Sequence, residues 1–205
     1  MIIKAPCGAM EGMEIQGIHQ FLGIPYAKPP VGALRFMPTE PAEPWTGIRS
    51  CRKLGHAAPQ LYVPGLTFQK KEETLDEDCL YLNVTTPDTT GKLPVLCWIH
   101  GGAFQKGSAT AGINPPSFAR EGMVVVNMNY RLGALGFMDM SGYLGDAYRQ
   151  SGNSGLLDII EALRWVRKNI ASFGGDPDNV TIMGQSAGAK LCGALTIMKK
   201  ARGLF

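Results

Sequence analysis

The sequence predicts an α/β fold with a mostly parallel central sheet and helices on both faces. Two continuous apolar runs rich in β-branched residues, LPVLCWI at residues 93–99 and MVVVNMN at residues 123–129, are typical of parallel strands buried on both sides. Apolar side chains at helical spacing over residues 154–173 predict a helix after them. Because parallel strands need crossover connections, strands and helix together favour this fold class.

The first ninety residues carry weaker signals. Residues 29–45, PPVGALRFMPTEPAEPW, contain prolines too closely spaced for a regular helix or a central strand, so we expect an ordered surface loop. Residues 70–78, KKEETLDED, mix both charge signs, and we expect a solvated surface turn with no docking function.

The sequence after residue 153 predicts a helix, a strand, a tight turn and a second helix, in that order. The apolar residues of the first helix form one stripe that would face the sheet: Leu156, Ile159, Ile160, Leu163, Val166 and Ile170. Two glycines and a proline within residues 174–177 end that helix. NVTIM at residues 179–183 predicts a short strand that ends at Gly184, and residues 187–198 can form the next helix.

The composition is that of an ordinary globular protein, with 205 residues, 45% of them hydrophobic and 18% charged. A net charge of +3 is too small, and too evenly spread, to indicate a nucleic-acid or anionic-membrane partner. The N-terminal MIIKAPCGAM lacks the apolar core of a secretory signal, and no apolar run has the length of a membrane span, so we expect a cytoplasmic protein. The sequence does not indicate an oligomeric state.

The five cysteines are scattered and include no CxxC pair. This pattern disfavours both a disulfide framework and a zinc site. We therefore expect buried or idle thiols and no bound metal.

Residues 184–188, GQSAG, form a G-x-S-x-G motif between a predicted strand and a predicted helix, the context of a nucleophile elbow. The serine of such an elbow lies at the apex of a sharp, strained turn, where side chains two residues before and after it would collide with neighbouring elements. Gly184 and Gly188 avoid that collision. The following helix directs its N-terminus, with the amide of Ala187, toward charge that develops on a substrate oxygen. We therefore predict that Ser186 is a nucleophile.

HGGAF at residues 100–104 follows the strand that ends at Ile99, and it is the type of small-residue loop that supplies further oxyanion-hole amides. One alternative is a flexible turn. Another is a phosphate cradle, because residues 102–108 have glycines at the P-loop spacing. However, a P-loop has lysine directly after its last glycine, whereas this chain has Ser108 there and Lys106 before that glycine. We favour the oxyanion loop because a predicted elbow follows it.

Long motifs in a characteristic order extend along almost the whole chain. They are FLGIPYA at 21–27 followed by Pro30, Gly32, Arg35 and Phe36, EDCLYLN at 77–83, NYRLG at 129–133, GNSGLLD at 152–158, FGGDP at 173–177 and VTIMGQSAGA at 180–189. With these motifs the sequence resembles the type B carboxylesterase and cholinesterase family. The resemblance implies an α/β-hydrolase fold, hydrolysis of small carboxylic esters through an acyl-enzyme, and no metal or organic cofactor.

The resemblance also implies roles for single residues. Ser186 would be the nucleophile, and the amides of Gly102, Ala103 and Ala187 would form the oxyanion hole. Gly101 would let the backbone turn close to the substrate.

Four charged residues resemble the structural ion pairs of the family, and we assign them to the scaffold. The expected pairs are Arg35 with Glu77 and Arg131 with Asp158. Ile159 follows Asp158 where many relatives have glutamine, which we interpret as a tolerated change in the core.

One departure from the family concerns Cys79. In secreted relatives the cysteine of the EDCLYLN motif closes a loop with a cysteine in an ACPQ-like stretch, but this chain has AAPQ at residues 57–60. We therefore expect Cys79 to have lost its partner, although Cys51 stays open as a substitute. A missing disulfide agrees with a reducing compartment.

A second departure is the extent of the chain. In the α/β-hydrolase fold the catalytic acid and histidine follow the serine in chain order, so we expect both beyond residue 205. His19, His56 and His100 all precede Ser186, and we do not expect any of them to be the base. Residues 1–205 are then expected to form one partial domain, truncated after the elbow.

Alone, such a fragment would be nearly inactive, and it would expose one face and one edge of its sheet. Two alternatives to a working esterase are an inactive truncated or split product and a cholinesterase-like binding module. The intact GQSAG motif counts against the binding module.

Overall fold

A computed structural model describes residues 1–61 and 74–205 and has a six-stranded mixed sheet as its centre. The strands are β1 Ile2–Ala5, β2 Gly8–Glu11, β3 Met13–Ile15, β4 Ile18–Pro25, β5 Ile48–Ser50, β6 Tyr81–Thr86, β7 Leu93–Ile99, β8 Val124–Met128 and β9 Gly175–Gly184. The α-helices are α1 Pro115–Arg120, α2 Gly133–Phe137, α3 Ser141–Leu144, α4 Ser154–Asn169 and α5 Ala187–Ile197. Short 3-10 helices span Gly32–Leu34, Asp146–Tyr148, Ser151–Asn153, Ile170–Phe173 and Lys199–Ala201.

The central sheet has the strand order β3-β4-β6-β8-β7-β9, and a smaller sheet has the order β1-β2-β5. Within the described residues, the central sheet is mixed rather than mostly parallel. Its pairings are antiparallel from β3 to β8, and only β7 pairs in parallel, with β8 and with β9. A short turn can join antiparallel strands, and β3 and β4 are joined by Gln16 and Gly17, both at positive φ.

Helices lie on both faces of the sheet, as predicted. Cys97 of β7 faces a core that it shares with Leu163 of α4 and Leu191 of α5. The next residue, Trp98, points to the opposite face, where its indole N–H donates to the carbonyl oxygen of Ala111 over 2.9 Å. On that face α1 packs against β8, β6 and β4.

Most of the predicted elements are present. The two apolar runs are β7 and β8, the predicted strand before Gly184 is longer and begins at Gly175, and α5 follows it. The helix predicted over 154–173 is α4 continued by the 3-10 helix Ile170–Phe173. It is buried almost all round rather than along one stripe, because α2 and α5 also pack against it. None of the helices in the described ranges is both long and apolar enough to cross a membrane.

The two segments predicted as surface regions have different outcomes. Residues 29–45 form a loop with one 3-10 turn, as predicted. Of the charged stretch 70–78, residues 70–73 lie outside the described residues, and residues 74–76 are exposed.

Both predicted ion pairs are confirmed. Arg35 Nε lies 2.6 Å from Glu77 Oε2 in a pair that is partly exposed. Arg131 and Asp158 are buried, with Arg131 Nη2 at 2.8 Å from Asp158 Oδ1 and the backbone N–H of Arg131 donating to Asp158 Oδ2 over 2.9 Å. Ile159 is fully buried.

All five cysteines lie in the described part of the chain, and each is a free thiol. Cys51 and Cys79 are buried and form no disulfide with each other. Burial raises the pKa of the Cys51 thiol to about 11, so it is protonated at neutral pH.

Candidate active site

Ser186 lies between β9 and α5 in a backbone conformation that few residues other than glycine adopt. Its φ is 56° and its ψ is −117°, and it directly precedes the first helical residue. Such a conformation costs on the order of 1–3 kcal/mol and persists only where the surrounding structure enforces it. Ser186 is exposed, so the sharp turn presents its hydroxyl group to solvent.

Two glycines let the backbone around Ser186 pass close to its neighbours. A Cβ on Gly184 would lie 2.5 Å from the carbonyl carbon of Gly188. A Cβ on Gly188 would overlap the carbonyl oxygen of Ile99, the last residue of β7. Residues 184–188, which we call the elbow, therefore bring α5 into backbone contact with the end of β7.

The loop that follows β7 folds back on itself. The carbonyl oxygen of Gly102 accepts hydrogen bonds of 3.0 Å from the backbone N–H groups of both Gln105 and Lys106. Ala103 and Phe104 both have positive φ, at 57° and 63°. We call residues 100–107 the HGGAF loop. Its turn exposes Ala103 at the surface, with Gly101 and Gly102 buried beneath.

The HGGAF loop packs directly on the elbow. A Cβ on Gly101 would lie 2.5 Å from Gln185 Oε1 and 3.2 Å from the Cβ of Ser186. Gly101 and Gln185 also line a cavity of about 160 Å³ together with Ala111 and Gly112. The structure thus brings together the two segments in which all predicted site residues lie.

His100 is buried behind the loop, with 1% of its surface exposed. Its ring stacks on Tyr130 with a centroid distance of 4.3 Å, and burial lowers the pKa of His100 to about 4. The neutral ring must carry its proton on Nδ1, because that atom lies 2.8 Å from the carbonyl oxygen of Gly101, an acceptor. Nε2 has no hydrogen-bond partner among the described residues.

The other two histidines lie elsewhere. His19 is on β4, with Nδ1 at 3.7 Å from Glu14 Oε2. The Nδ1 atom of His56 is 2.6 Å from Thr74 Oγ1. Neither has Ser186 among its partners in the described ranges, so the site as described has a candidate nucleophile and no base. Within the same ranges, no group of three or more His, Cys, Asp or Glu side chains could hold a metal ion.

Several residues that support the HGGAF loop and the residues directly after it were missed by the sequence reasoning. Gln60 bonds both backbone groups of Gly107, and the Tyr130 hydroxyl donates to the carbonyl oxygen of His100 over 2.7 Å. Asn129 Oδ1 accepts from the backbone N–H of Ala109 over 2.6 Å. The sequence does indicate a buried hydrogen bond for Asn129, because an amide side chain at the end of a buried apolar strand requires a partner. It indicates none for Gln60.

The whole chain, residues 1–205, matches the sequence profile of the carboxylesterase family. A carboxylesterase of Geobacillus stearothermophilus has a TM-score of 0.90 at 43% identity, over 100% of this chain and 42% of that one. An esterase of Clostridium hathewayi, described as able to hydrolyse aliphatic aromatic polyesters, has a TM-score of 0.88 at 38% identity over the same shares. The fold is therefore that of the α/β-hydrolases.

Curated relatives agree with these structures. The para-nitrobenzyl esterase of Bacillus subtilis is 46% identical over 208 residues, which cover 100% of this chain and 42% of that protein. The cocaine esterase of Oryctolagus cuniculus is 43% identical over 209 residues, which cover 96% of this chain and 37% of that protein. The chain belongs to the carboxylesterase family, and it spans about two fifths of the length of these relatives.

Proposed function

We propose that the full-length protein containing these residues hydrolyses small carboxylic esters through an acyl-enzyme formed on Ser186. The observation that carries the proposal is the exposed serine at φ 56°, held between β9 and α5 with the HGGAF loop packed on it. A strained conformation that exposes a hydroxyl group at a strand–helix turn is typical of nucleophilic serines. Relatives named para-nitrobenzyl esterase and cocaine esterase support small-molecule esters as the substrate class.

The oxyanion of the tetrahedral intermediate would be held by the backbone N–H groups of Gly102, Ala103 and Ala187. Ala187 begins α5, so its N–H has no acceptor within the helix and lies at the positive end of the helix dipole. The N–H of Gly102 belongs to the peptide whose carbonyl oxygen bonds His100. Because a trans peptide directs its C=O and N–H in opposite directions, this bond orients the N–H away from the buried ring.

The proton of Ser186 Oγ would pass to a histidine supplied from outside these 205 residues. None of the three histidines described above bonds Ser186, and the buried, neutral His100 already uses Nδ1 on a backbone carbonyl. We therefore assign His100 to positioning of the loop. Water would then hydrolyse the acyl-enzyme with the same external histidine as base.

The test compares full-length wild type with Ser186→Ala in the hydrolysis of para-nitrophenyl acetate and in labelling by a fluorophosphonate probe. We expect the variant to lose the label and to lose kcat by about 10⁵–10⁶-fold, since the nucleophile is removed. Ser50→Ala is the matched control, because Ser50 is an exposed serine on β5. It should keep both label and turnover, whereas unchanged turnover in Ser186→Ala would overturn the proposal.

A further inference from the structure

We infer that Gln60 is a positioning residue for ester hydrolysis, because it holds the HGGAF loop so that the Gly102 and Ala103 amides face Ser186. The inference rests on the function proposed above. It concerns a residue 47 positions away from its partner in the chain, outside every segment in which the site residues lie.

The contact is a two-point clamp on one backbone residue. Gln60 Nε2 donates to the carbonyl oxygen of Gly107 over 2.8 Å, and Gln60 Oε1 accepts the N–H of Gly107 over 2.7 Å. Nε2 also donates to the carbonyl oxygen of Ala58 over 3.0 Å. A single bond would leave Gly107 free to rotate, whereas two bonds in opposite senses fix both its position and its orientation. At neutral pH, where carboxyl side chains are ionised, a carboxamide is the side-chain group that offers a donor and an acceptor in this geometry.

Gly107 closes the base of the HGGAF loop, directly behind the peptide that joins Gly101 to Gly102. At φ 111°, a Cβ on Gly107 would lie 2.5 Å from His100 Nδ1 and 2.6 Å from the carbonyl oxygen of Gly101. The same peptide carries the N–H of Gly102, which points away from Gly107. A displacement of Gly107 therefore moves this N–H relative to Ser186.

The segment that carries Gln60 is itself fixed to the sheet and to its neighbour. Asn129 Nδ2, at the end of β8, donates to the carbonyl oxygen of His56 over 2.8 Å. The backbone N–H of Ala57 donates to the carbonyl oxygen of Thr74 over 2.9 Å. Gln60 thus connects the HGGAF loop to a frame that is independent of the elbow.

The effect of losing the clamp should appear in the transition state rather than in substrate binding. Removal of one oxyanion donor lowers kcat by about 10²–10³-fold, and functional groups must be placed to within about 0.5 Å. A loosened loop keeps its donors but misplaces them, so we expect kcat to fall by about 10–100-fold. KM should stay within about threefold, because the ground-state ester does not need the oxyanion donors.

The experiment uses the full-length protein and two variants. Gln60→Met keeps the length of the side chain and removes every hydrogen bond, whereas Gln60→Glu keeps an acceptor for the Gly107 N–H and loses the donor. We measure kcat and KM for para-nitrophenyl acetate per fluorophosphonate-titrated site, and Ki for a trifluoromethyl ketone that forms a tetrahedral adduct with serine. Gln150→Met is the control, since Gln150 is exposed and its Oε1 accepts a hydrogen bond from the exposed Lys200 Nζ over 3.0 Å.

We expect Gln60→Met to lower kcat and to raise the Ki of the ketone in proportion to its loss of kcat/KM, with the control unchanged. For Gln60→Glu, protonation of the introduced carboxyl group restores an O–H donor, so its kcat relative to wild type should rise as the pH is lowered. A lower Tm with unchanged kcat and Ki would mean that Gln60 only stabilises the fold, and it would overturn the inference.

If Gln60→Met does not fold, the pH dependence of kcat in Gln60→Glu is the remaining test. A ratio of its kcat to that of wild type that does not change with pH would overturn the inference. Failure of the proposed function gives a different result, namely full turnover in Ser186→Ala. The two failures are therefore distinguishable.

Discussion

The elbow and the HGGAF loop pack against each other, but they are held in place by different means. The conformation of the elbow depends on residues within the motif itself, since Gly184 and Gly188 clear the space around Ser186. The HGGAF loop depends on distant residues. Gln60 clamps its end, and Tyr130 bonds the carbonyl oxygen of His100 at its start.

The two halves of the site are therefore sensitive to different substitutions. The elbow should lose its conformation when a side chain is added to one of its glycines, because there is no space for it between β7 and α5. The HGGAF loop should lose its conformation when a hydrogen-bond partner elsewhere in the chain is removed. Its middle has such a partner as well, because the backbone N–H of Gly133 donates to the carbonyl oxygen of Phe104 over 2.7 Å.

The largest effect is expected at Asp158, which anchors the segment that leads to Gly133. Asp158 is fully buried and accepts four hydrogen bonds from Arg131, and Arg131 is itself only 2% exposed. Asp158→Ala leaves a buried guanidinium without its partner, so we expect the free energy of unfolding to fall by about 3–5 kcal/mol. Urea unfolding of the full-length protein measures it.

Glu77→Ala is the matched control, because it removes the partner of Arg35, whose side chain is 44% exposed. An exposed pair of this kind contributes at most about 1 kcal/mol. Equal losses of unfolding free energy in the two variants would contradict the prediction that the buried Arg131–Asp158 pair stabilises the protein more than the exposed Arg35–Glu77 pair.

The next effect tests the elbow itself. Gly188→Ala places a methyl group on the carbonyl oxygen of Ile99, so β7 and α5 must separate. We expect a loss of about 1–3 kcal/mol in the free energy of unfolding, together with a lower kcat. Gly193→Ala is the control within the same helix, since its added Cβ meets no atom within 4 Å apart from its chain neighbours and the backbone of its own helix.

In the exposed helix interior, Gly193→Ala should stabilise the protein by about 0.5–1 kcal/mol. The two substitutions are chemically identical and should have opposite signs. If Gly188→Ala were as stable as Gly193→Ala, the elbow would not be sterically determined, and the contrast with the HGGAF loop would disappear.

The same contrast explains how much of the fold could be predicted from the sequence. The strands β7 and β8 and the helix α4 were predicted because their burial produces a local apolar pattern. The strand β4 was not predicted as a strand from its pattern. Its register shifts between Phe21 and Ile24, and Gly23 has a φ of 67°, so the alternation that indicates a strand is interrupted.

The candidate site divides in the same way. The sharp turn at Ser186 and the need for its flanking glycines could be predicted, because the residues that meet the steric demands of a strand–helix turn lie within five consecutive positions. The support of the HGGAF loop could not, because Gln60 and Gly107 are 47 residues apart and nothing in the sequence indicates that these two residues pair. Only the three-dimensional fold brings such a donor and acceptor together.

The smallest effect concerns His100, the only titratable side chain within residues 100–104. Burial lowers its pKa to about 4 in the folded protein, against about 6.5 in an unfolded chain. Between these values the unfolded state binds more protons, so stability is fully present above pH 6.5 and falls as the pH is lowered toward 4. One such group removes about 1 kcal/mol between pH 6.5 and 5.5.

His100→Asn keeps an N–H donor for the carbonyl oxygen of Gly101 and cannot be protonated in this range. We therefore expect its free energy of unfolding, measured in urea at pH 7 and 5.5, to depend less on pH than that of wild type by about 1 kcal/mol. Identical dependence in the two proteins would contradict a neutral, buried ring. The elbow contains only Gly, Gln, Ser and Ala, so it adds no titratable side chain of its own to this pH dependence.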